Sequence, residues 1–307
     1  MRNYYRIMLG AKSVYADECF KGHFIGADFD INQDLTNQLP DNWREFNHKF
    51  IPVWLKPRPE KSKVSAGLAC GALWTISKGI KIGDLILSPN GAGGYLVGEV
   101  STNYYYQPNT NLPHKRTVKW LDIIIDRTRM SESLRNSTGS IGTVSDITKY
   151  AGEIETLIGG NKPATITSTD STIEDPSLFA LERHLEDFLV ANWKNTELGK
   201  QYDIYEEDGQ LVGQQYPSDT GPIDILAISK DKKELLVVEL KRGRVSDVVV
   251  GQIQRYMGYV QEELAEPSQV VKGVIIGSDN DLRIKRALVV TRNIEFFKYQ
   301  ISFKLIK

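Results

Sequence analysis

Two neighbouring apolar runs in the second half of the sequence carry charged residues where a buried strand normally has none. The first, GPIDILAI, spans residues 221–228, and the second, ELLVVELK, spans residues 234–241, with a short polar stretch between them. This pattern predicts two strands joined by a turn. Because side chains alternate between the faces of a strand, Glu239 and Lys241 share one face, and pairing of the strands brings Asp224 to the same end of the sheet.

Three ionisable side chains at one end of a sheet indicate a chemical site. Burying a charge costs several kcal/mol unless the charge is paired or holds a metal. Carboxylates are the hard oxygen ligands that Mg²⁺ and Mn²⁺ prefer, and a bound ion can polarise a phosphate and activate a water. A nearby lysine can orient that water or stabilise the developing charge. The pattern favours metal-dependent hydrolysis of a phosphodiester, and the alternative is a structural Glu–Lys pair at a strand end.

Two predicted helices flank the strand pair and add polar side chains to the same region. The first, at about 177–193, has leucines along one stripe, with Glu182 at the edge of that stripe and Glu186 further round. Glu182 is therefore the first choice for an acid that faces the core. The second helix, at about 246–264, carries Gln252 on the flank of its apolar stripe. Gln252 can face the site, although a solvated helix flank explains its position equally well.

The order of elements in the second half is that of an α/β fold. The first helix is followed by the strand pair, the second helix, a strand at 270–277, a short helix near 281–289 and a last strand. We therefore expect helices packed on a mixed sheet over residues 176–307. Residues 161–175, rich in Ser, Thr, Gly and Pro, are the predicted linker, and residues 1–160 are the predicted first domain.

Composition limits the class of protein only broadly. The chain has 307 residues, of which 41% are hydrophobic, and 38 Lys and Arg stand against 39 Asp and Glu. This balance neither favours nor excludes nucleic acid as a partner. Cys19 and Cys70 are too few for a disulfide framework or a cysteine-based zinc site. The apolar runs are too short for a signal peptide or a membrane span, so we expect a cytoplasmic protein that binds no membrane.

The sequence segments GPIDILAI, LLVVELKRG and VGQIQRYMGYV resemble motifs of the PD-(D/E)xK nuclease superfamily. In particular, they resemble the C-terminal nuclease domain of NucS-type (EndoMS) endonucleases. The resemblance covers about residues 176–307 and implies a restriction-endonuclease-like mixed sheet with flanking helices. Carried over residue by residue, it implies Asp224 and Glu239 as ligands of Mg²⁺ or Mn²⁺. It implies Lys241 as the catalytic lysine.

The same resemblance assigns two further positions in the site. It implies Gln252 as an accessory polar group, and the family's helix acid, a further metal ligand, corresponds to Glu182 or Glu186. No core position of the family's motifs is missing from this sequence, which argues against an inactive relative.

Residues beside these motifs are candidates for DNA contacts. They are polar or basic side chains that precede Asp224 or follow Lys241 in the sequence, namely Gln214, Gln215, Tyr216, Arg242, Arg244 and Arg255. The first three can line the entrance of the site or belong to an ordinary polar hairpin. The three arginines can hold phosphates or form a solvated charged face. The sequence leaves both alternatives open.

The first part of the chain shows short strands punctuated by glycine, with helices inserted. Strands are predicted within RIMLG, GDLILSP, GYLVGEV and VKWLDIIID, and helices within DNWREFNHKFIPVWL, KVSAGLACGALWTISKG and VSDITKYAGEIETLI. This order predicts a small curved β-barrel or half-barrel. The stretch that ends in GYLVGEV resembles PUA-like folds, the group that includes EVE and SRA domains, and the resemblance implies recognition of a modified base.

A surplus of aromatic residues accompanies that stretch. A flipped base needs aromatic walls, polar groups that read its edge, and cations outside the slot that hold the DNA backbone. The candidates are Tyr95, Tyr104, Tyr105, Tyr106, His114, Lys115, Arg116 and Trp120. The alternative is that Trp120 and most of the tyrosines belong to the barrel core or to a protein interface.

These features define a leading hypothesis and two alternatives. The leading hypothesis is a modification-dependent DNA endonuclease of the restriction or defence type, in which the first domain selects the DNA and the second cuts it. The first alternative is a NucS-like repair nuclease for mismatched, branched or single-stranded DNA. The second is a non-enzymatic nucleic-acid-binding protein. Because cutting both strands usually needs two copies of a single-site nuclease, we expect a homodimer.

Overall fold

The chain divides into two compact units, Met1–Pro176 and Ser177–Lys307. The structure, a computed structural model, describes residues 2–139, 142–159, 185–207, 210–241 and 244–299. The predicted linker at 161–175 lies outside the described residues. Within these described ranges, no helix has both the length and the apolar character needed to cross a membrane.

The first unit is built on a seven-stranded sheet. Its strands are β1 (Tyr4–Ile7), β2 (Phe24–Ala27), β3 (Leu85–Pro89), β4 (Gly94–Val100), β5 (Tyr105–Tyr106), β6 (His114–Asp126) and β7 (Val144–Asp146). The hydrogen-bonded order is β2-β6-β4-β3-β1-β7, with β5 also paired to β6. Only β1 and β3 are parallel among these pairs. Among the described strands the path does not close between β2 and β7, so a closed PUA-like barrel stays a prediction.

Five helices accompany this sheet in the described part of the first unit. They are α1 (Ala16–Lys21), α2 (Trp43–Leu55), α3 (Lys63–Trp74), α4 (Glu132–Thr138) and α5 (Ala151–Leu157). The two long helices begin where the sequence supplies a capping side chain. Asn42 accepts from the main-chain N–H of Arg44 at the start of α2, and Ser62 accepts from that of Ser65 at the start of α3.

Apolar side chains pack on both faces of the first sheet. On one face Ile86 of β3 joins buried residues of α1, α2 and α3. On the other face its neighbours Leu85 and Leu87 join Leu134 of α4 and Ile154 of α5. Because helices cover both faces, β3 is buried along most of its length instead of alternating between buried and exposed positions.

The segment 144–158 differs from the single helix that its apolar spacing predicts. Its first residues form β7, which pairs antiparallel with β1 and sets Val144 opposite Ile7. A 3-10 turn at Thr148–Tyr150 then leads into α5. The apolar residues are shared between a strand and a short helix, because β1 has an open edge whose N–H and C=O groups need partners.

The second unit contains a mixed sheet, as the sequence predicts. Its strands are β8 (Tyr202–Ile204), β9 (Glu206–Glu207), β10 (Gln210–Leu211), β11 (Gln214–Ser218), β12 (Gly221–Ser229), β13 (Glu234–Leu240), β14 (Arg244–Val245), β15 (Val270–Gly277), β16 (Asp279–Asn280) and β17 (Ile294–Lys298). The main order is β11-β12-β13-β15-β17, with β8 also paired to β12. Strands β11, β12 and β13 are antiparallel, whereas β13, β15 and β17 are parallel. The pairs β9–β10 and β14–β16 lie apart from this sheet.

Helices cover both faces of the second sheet. They are α6 (185–191), α7 (Val248–Tyr259) and α8 (Leu282–Val289). On one face Leu189 and Val190 of α6 pack against the core that contains Val238. On the opposite face α7 lies so close to β15 that a Cβ atom on Gly273 would be 2.6 Å from Sδ of Met257. Gly273 therefore permits the close packing of α7 on the sheet.

Candidate active site

Asp224 and Glu239 lie side by side on β12 and β13. The two strands pair antiparallel as far as Ile225 opposite Val238, so Asp224 and Glu239 are the next residues along each strand. Val238 packs in the core on the α6 side of the sheet. Because side chains alternate along a strand, Glu239 and Lys241 point to the α7 side.

Two hydrogen bonds hold the carboxylate of Asp224 at the end of β13. Its Oδ2 accepts from the main-chain N–H of Leu240 at 2.8 Å, and its Oδ1 accepts from the side-chain amide of Gln215 at 3.1 Å. Hydrogen bonds to an ionised carboxylate are stronger than those between neutral groups. The carboxylate is half-buried, and these two donors fix its direction.

Glu239 and Lys241 form an ion pair at the same strand end. The Nζ atom of Lys241 lies 3.0 Å from Oε1 of Glu239, and the two side chains are 27% and 2% exposed. Removing a carboxylate from water costs several kcal/mol, and a single ion pair offsets only part of that cost. This buried ion pair therefore contributes little net stability.

The described part of the first helix brings one acid to this region. Glu186 of α6 is 3% exposed, and both of its carboxylate oxygens accept from side-chain amides. Oε1 accepts from Gln214 at 2.8 Å, and Oε2 accepts from Gln215 at 2.6 Å. Since Gln215 also donates to Asp224, one amide connects the acid of α6 to the acid of β12. The other candidate, Glu182, lies outside the described residues.

The strand β11 directs the amides of its two half-buried glutamines toward these acids. Gln215 has a left-handed backbone, with φ of 51°, a conformation that costs a residue other than glycine about 1 kcal/mol or more. Its neighbour Tyr216 is fully buried, which differs from the predicted contact with DNA. Gln214 also donates to Asp187, at 3.0 Å. The sequence carries no signal for Asp187 beyond its place after Glu186.

Gln252 lies on α7, the helix that covers the face of Glu239. It is 8% exposed, and its Nε2 lies 3.4 Å from the hydroxyl of Tyr256. That hydroxyl closely approaches the start of β12, because a Cβ atom on Gly221 would lie 3.2 Å from it. Gly221 has φ of +123°, which favours glycine. The flank of α7 that carries Gln252 is therefore buried, in contrast to a solvated flank.

The predicted basic contacts are only partly described. Arg255 on α7 is exposed. Arg244 belongs to β14, although its side chain lies outside the described atoms, and Arg242 lies outside the described residues. Contacts of the three arginines with phosphates stay a prediction.

The donor set at the strand ends fits a hard divalent ion. Asp224 and Glu239 offer carboxylate oxygens from adjacent strands, the ligands that Mg²⁺ and Mn²⁺ prefer. Among the residues that the structure describes, no three His, Cys, Asp or Glu side chains converge as a complete metal site. The amide of Gln215 lies between Glu186 and Asp224. The carboxylates of Asp224, Glu239 and Glu186 thus lie in the same region, but their oxygens do not converge on a single point.

The side chains predicted to recognise a base do not form one exposed cage. Tyr95 is buried, and its hydroxyl donates to the carbonyl of Thr138 at 3.2 Å. Nε1 of Trp120 donates to the carbonyl of Cys19 at 3.1 Å. These two aromatic residues pack in separate cores of the first unit, as the alternative of a core role predicts.

Lys115 and Arg116 lie inside the first unit, which differs from the prediction of cations placed outside a base slot. Nε and Nη1 of Arg116 donate to the carbonyls of Thr102 at 2.7 Å and Ile80 at 2.8 Å. Nζ of Lys115 donates to Oε1 of Gln107 at 3.0 Å. Burial lowers the pKa of Arg116 to about 10. The reason for the burial is that β2 and β5 flank β6 at these positions.

Tyr104, Tyr106 and His114 form an aromatic cluster. The hydroxyl of Tyr104 donates to Nδ1 of His114 at 2.9 Å, and Nε2 of His114 donates to the carbonyl of Ile31 at 2.7 Å. The ring centroids of Tyr106 and His114 are 5.1 Å apart. His114 is fully buried, whereas Tyr105 is 36% exposed. Of the predicted set, Tyr105 is therefore the exposed side chain, and Tyr104, Tyr106 and Trp120 are half-buried.

A mixed sheet with flanking helices, whose adjacent strand ends carry Asp224, Glu239 and Lys241, defines the class of the second unit as a restriction-endonuclease-like α/β domain. The family model described as Endonuclease NucS C-terminal domain matches residues 182–302, so this part of the chain is a NucS-like C-terminal domain. Residues 5–148 match a model described as Domain of unknown function (DUF8426). A PUA-like fold for this first part stays a prediction.

A curated relative is also similar to part of the chain. Endonuclease NucS of Methanocaldococcus jannaschii is 30% identical over 94 residues, which are 31% of this chain and 34% of that protein. The chain thus spans about a third of the length of the curated relative that it matches.

Two solved structures are similar at a coarse level. A repair endonuclease from Pyrococcus abyssi has a TM-score of 0.31 at 13% identity, over 67% of this chain and 78% of that one. The MspJI restriction endonuclease in complex with a 27-mer oligonucleotide has a TM-score of 0.23 at 9% identity, over 77% of this chain and 59% of that one.

Proposed function

We propose that the protein is a divalent-metal-dependent DNA endonuclease whose second unit hydrolyses phosphodiester bonds. The observation that carries this proposal is that Asp224 is hydrogen-bonded to the end of β13, where Glu239 and Lys241 form an ion pair. The sequence match of residues 182–302 to the NucS C-terminal domain supports it independently.

Each side chain of the proposed site has its own role in the cleavage reaction. Asp224 and Glu239 hold the metal, with Glu186 as the helix acid nearby. A bound Mg²⁺ or Mn²⁺ ion supplies positive charge that polarises the phosphate and acidifies a bound water. Lys241, held by Oε1 of Glu239 and partly open to solvent, donates N–H groups to the attacking water or to a phosphate oxygen. Gln252 supports the site from α7.

The first unit selects the DNA, and a modified base is the proposed feature that it reads. Support comes from the aromatic cluster at β5, where Tyr105 is exposed beside Tyr106. Base stacking on such side chains contributes about 1–3 kcal/mol per base. Exposed Arg255 contacts phosphates near the cut. Two copies of the chain act together on a duplex, since each chain carries one site.

A second candidate is a nuclease for mismatched, branched or single-stranded DNA. The specific observation in its favour is that the match in the second unit is to the NucS family. The modification hypothesis and this one share the same catalytic site and differ in the DNA that the first unit accepts.

Cleavage of matched substrates tests the proposal and separates the two candidates. Full-length protein is treated with EDTA, supplied with Mg²⁺ or Mn²⁺, and given unmodified, methylated, hydroxymethylated, mismatched and branched DNA of one sequence. Cutting confined to modified duplex supports modification-dependent restriction, and cutting of unmodified structured DNA supports the second candidate. Absence of metal-dependent cutting on every substrate contradicts the proposed activity.

A further inference from the structure

One amide group lies between the helix acid and the strand acid of the proposed site. Nε2 of Gln215 donates to Oε2 of Glu186 at 2.6 Å and to Oδ1 of Asp224 at 3.1 Å. The neighbouring amide, that of Gln214, donates instead to Glu186 at 2.8 Å and to Asp187 at 3.0 Å. Gln215 is thus the glutamine that links α6 to β12.

Such an amide is a weak substitute for a cation. Two carboxylates repel each other, and burial strengthens the repulsion because the surrounding dielectric is low. Glu186 is 3% exposed, so water screens its charge poorly. The two N–H groups of an amide satisfy one oxygen of each acid but bring no net charge. A divalent cation satisfies the same oxygens and neutralises them as well.

We propose that Gln215 is a positioning residue that holds Glu186 and Asp224 together in the metal-free protein, and that a divalent cation shared by these two acids displaces its amide. This inference rests on the proposed nuclease function, because it assigns both acids to the metal site. It makes Gln215 a competitor of the metal and not a ligand or a contact to DNA.

The local backbone is built for this placement. Gln215 keeps a left-handed φ of 51° within β11, and the next residue, Tyr216, is fully buried. The buried tyrosine anchors the strand, while the unusual φ directs the glutamine side chain toward the acids. Backbone strain of this kind persists where the surroundings enforce it and is common at functional sites.

Metal binding measured by calorimetry tests the inference. The full-length protein is stripped with EDTA and titrated with Mn²⁺ as wild type, Gln215→Met, Gln214→Met and Asp224→Asn. Methionine keeps the length of glutamine without the amide. Loss of hydrogen bonds to charged groups predicts that Gln215→Met binds Mn²⁺ about tenfold more tightly than wild type. It also unfolds at a lower temperature in EDTA and recovers in saturating Mn²⁺.

The control variants separate this inference from the proposed function. Gln214→Met keeps the link between Glu186 and Asp224 and loses a hydrogen bond to the other oxygen of Glu186, so we expect a smaller gain in Mn²⁺ affinity than for Gln215→Met. Equal or weaker binding by Gln215→Met, with binding abolished in Asp224→Asn, overturns the inference and leaves the nuclease proposal intact. Equal tightening by Gln214→Met also overturns it. If the wild type binds no Mn²⁺, both proposals fail.

A second variant covers the case in which Gln215→Met does not fold in EDTA. Gln215→Asn has a side chain too short to reach both acids, and asparagine tolerates a left-handed backbone better than most residues. The lower backbone strain of asparagine at position 215 offsets part of the stability that is lost with the hydrogen bonds. We expect Gln215→Asn to fold without metal and to bind Mn²⁺ more tightly than wild type, and weaker binding contradicts displacement of the amide.

Discussion

The main-chain N–H of Leu240 donates a 2.8 Å hydrogen bond to Oδ2 of Asp224, which ties the acid of β12 to the end of β13. An asparagine keeps an oxygen for this bond but removes the charge. Asp224→Asn therefore stays folded, although its NH₂ group faces the amide of Gln215 in place of an accepting oxygen, and it lowers cleavage to the level seen in EDTA. Initial rates on a labelled duplex and a thermal unfolding curve measure both outcomes.

A control for this variant lies at the other end of the same hairpin. Asp231 accepts from the hydroxyl of Ser229 at 2.6 Å and from the main-chain N–H of Lys233 at 3.1 Å. Asp231→Asn loses the same charge away from the proposed site, and we expect wild-type cleavage. Comparable inactivity of Asp231→Asn would show that the integrity of the hairpin, and not the charge of Asp224, limits the rate.

The first unit is expected to lose stability in mild acid because of His114. Its Nε2 faces the carbonyl of Ile31 and its Nδ1 faces the hydroxyl of Tyr104; in the neutral ring, Nε2 donates and Nδ1 accepts. Burial lowers the pKa of His114, although Asp28 and Asp34 act in the opposite direction. A histidine in the unfolded chain titrates near about 6.5. The free energy of unfolding therefore falls below that pH, by at most about 1.4 kcal/mol per pH unit, and levels off below the folded pKa.

Unfolding in urea between pH 7.5 and 5 measures this effect. His114→Gln removes the titrating group, so its free energy of unfolding changes less with pH than that of wild type, although it is lower at pH 7.5. His48→Gln alters an exposed histidine and keeps the wild-type pH dependence. A wild-type profile that matches that of His114→Gln would contradict a neutral, buried His114.

Variants of Arg116 and Tyr105 are expected to differ, because Arg116 has a structural role and Tyr105 has a proposed role in DNA binding. Arg116→Leu leaves the carbonyls of Thr102 and Ile80 without their charged donor, which costs about 3 kcal/mol of stability. Tyr105→Ala removes a ring that is 36% exposed, so the unfolding temperature falls less than in Arg116→Leu, and DNA affinity falls about tenfold. Thermal unfolding and fluorescence anisotropy with labelled DNA measure the two variants. Unchanged DNA affinity in Tyr105→Ala would remove β5 from the DNA-binding surface.

The sequence predicts the second unit well because its signals are local. The runs at 221–228, 234–240 and 270–277 are apolar enough to define strands, and the short turn between the first two sets their pairing. The α/β fold class and the NucS-like resemblance are confirmed. The catalytic roles of Asp224 and Glu239 stay predictions, although the structure does bring these residues together.

Other features depend on contacts between distant segments and leave no local pattern. Strand β7 forms because the edge of β1 needs partners, more than a hundred residues earlier in the sequence. Lys115 and Arg116 look like surface cations in the sequence, yet β2 and β5 enclose them. The link from Glu186 through Gln215 to Asp224 combines a helix with two strands. Periodicity reports which face is apolar and cannot show which polar groups meet across elements.

One comparison tests most directly whether Lys241 takes part in metal-dependent cleavage. Each end of β13 has a Glu–Lys ion pair: Lys241, just after the strand, lies 3.0 Å from Glu239, and Lys272 of β15 lies 2.7 Å from Glu234. Initial cleavage rates of full-length Lys241→Met and Lys272→Met are measured in Mg²⁺ and in Mn²⁺, on the substrate that wild type cuts best. Loss of a group that stabilises developing charge predicts a rate lower by about 10²–10³-fold for Lys241→Met, and a wild-type rate for Lys272→Met. Cleavage by Lys241→Met at the wild-type rate in either metal would contradict the account.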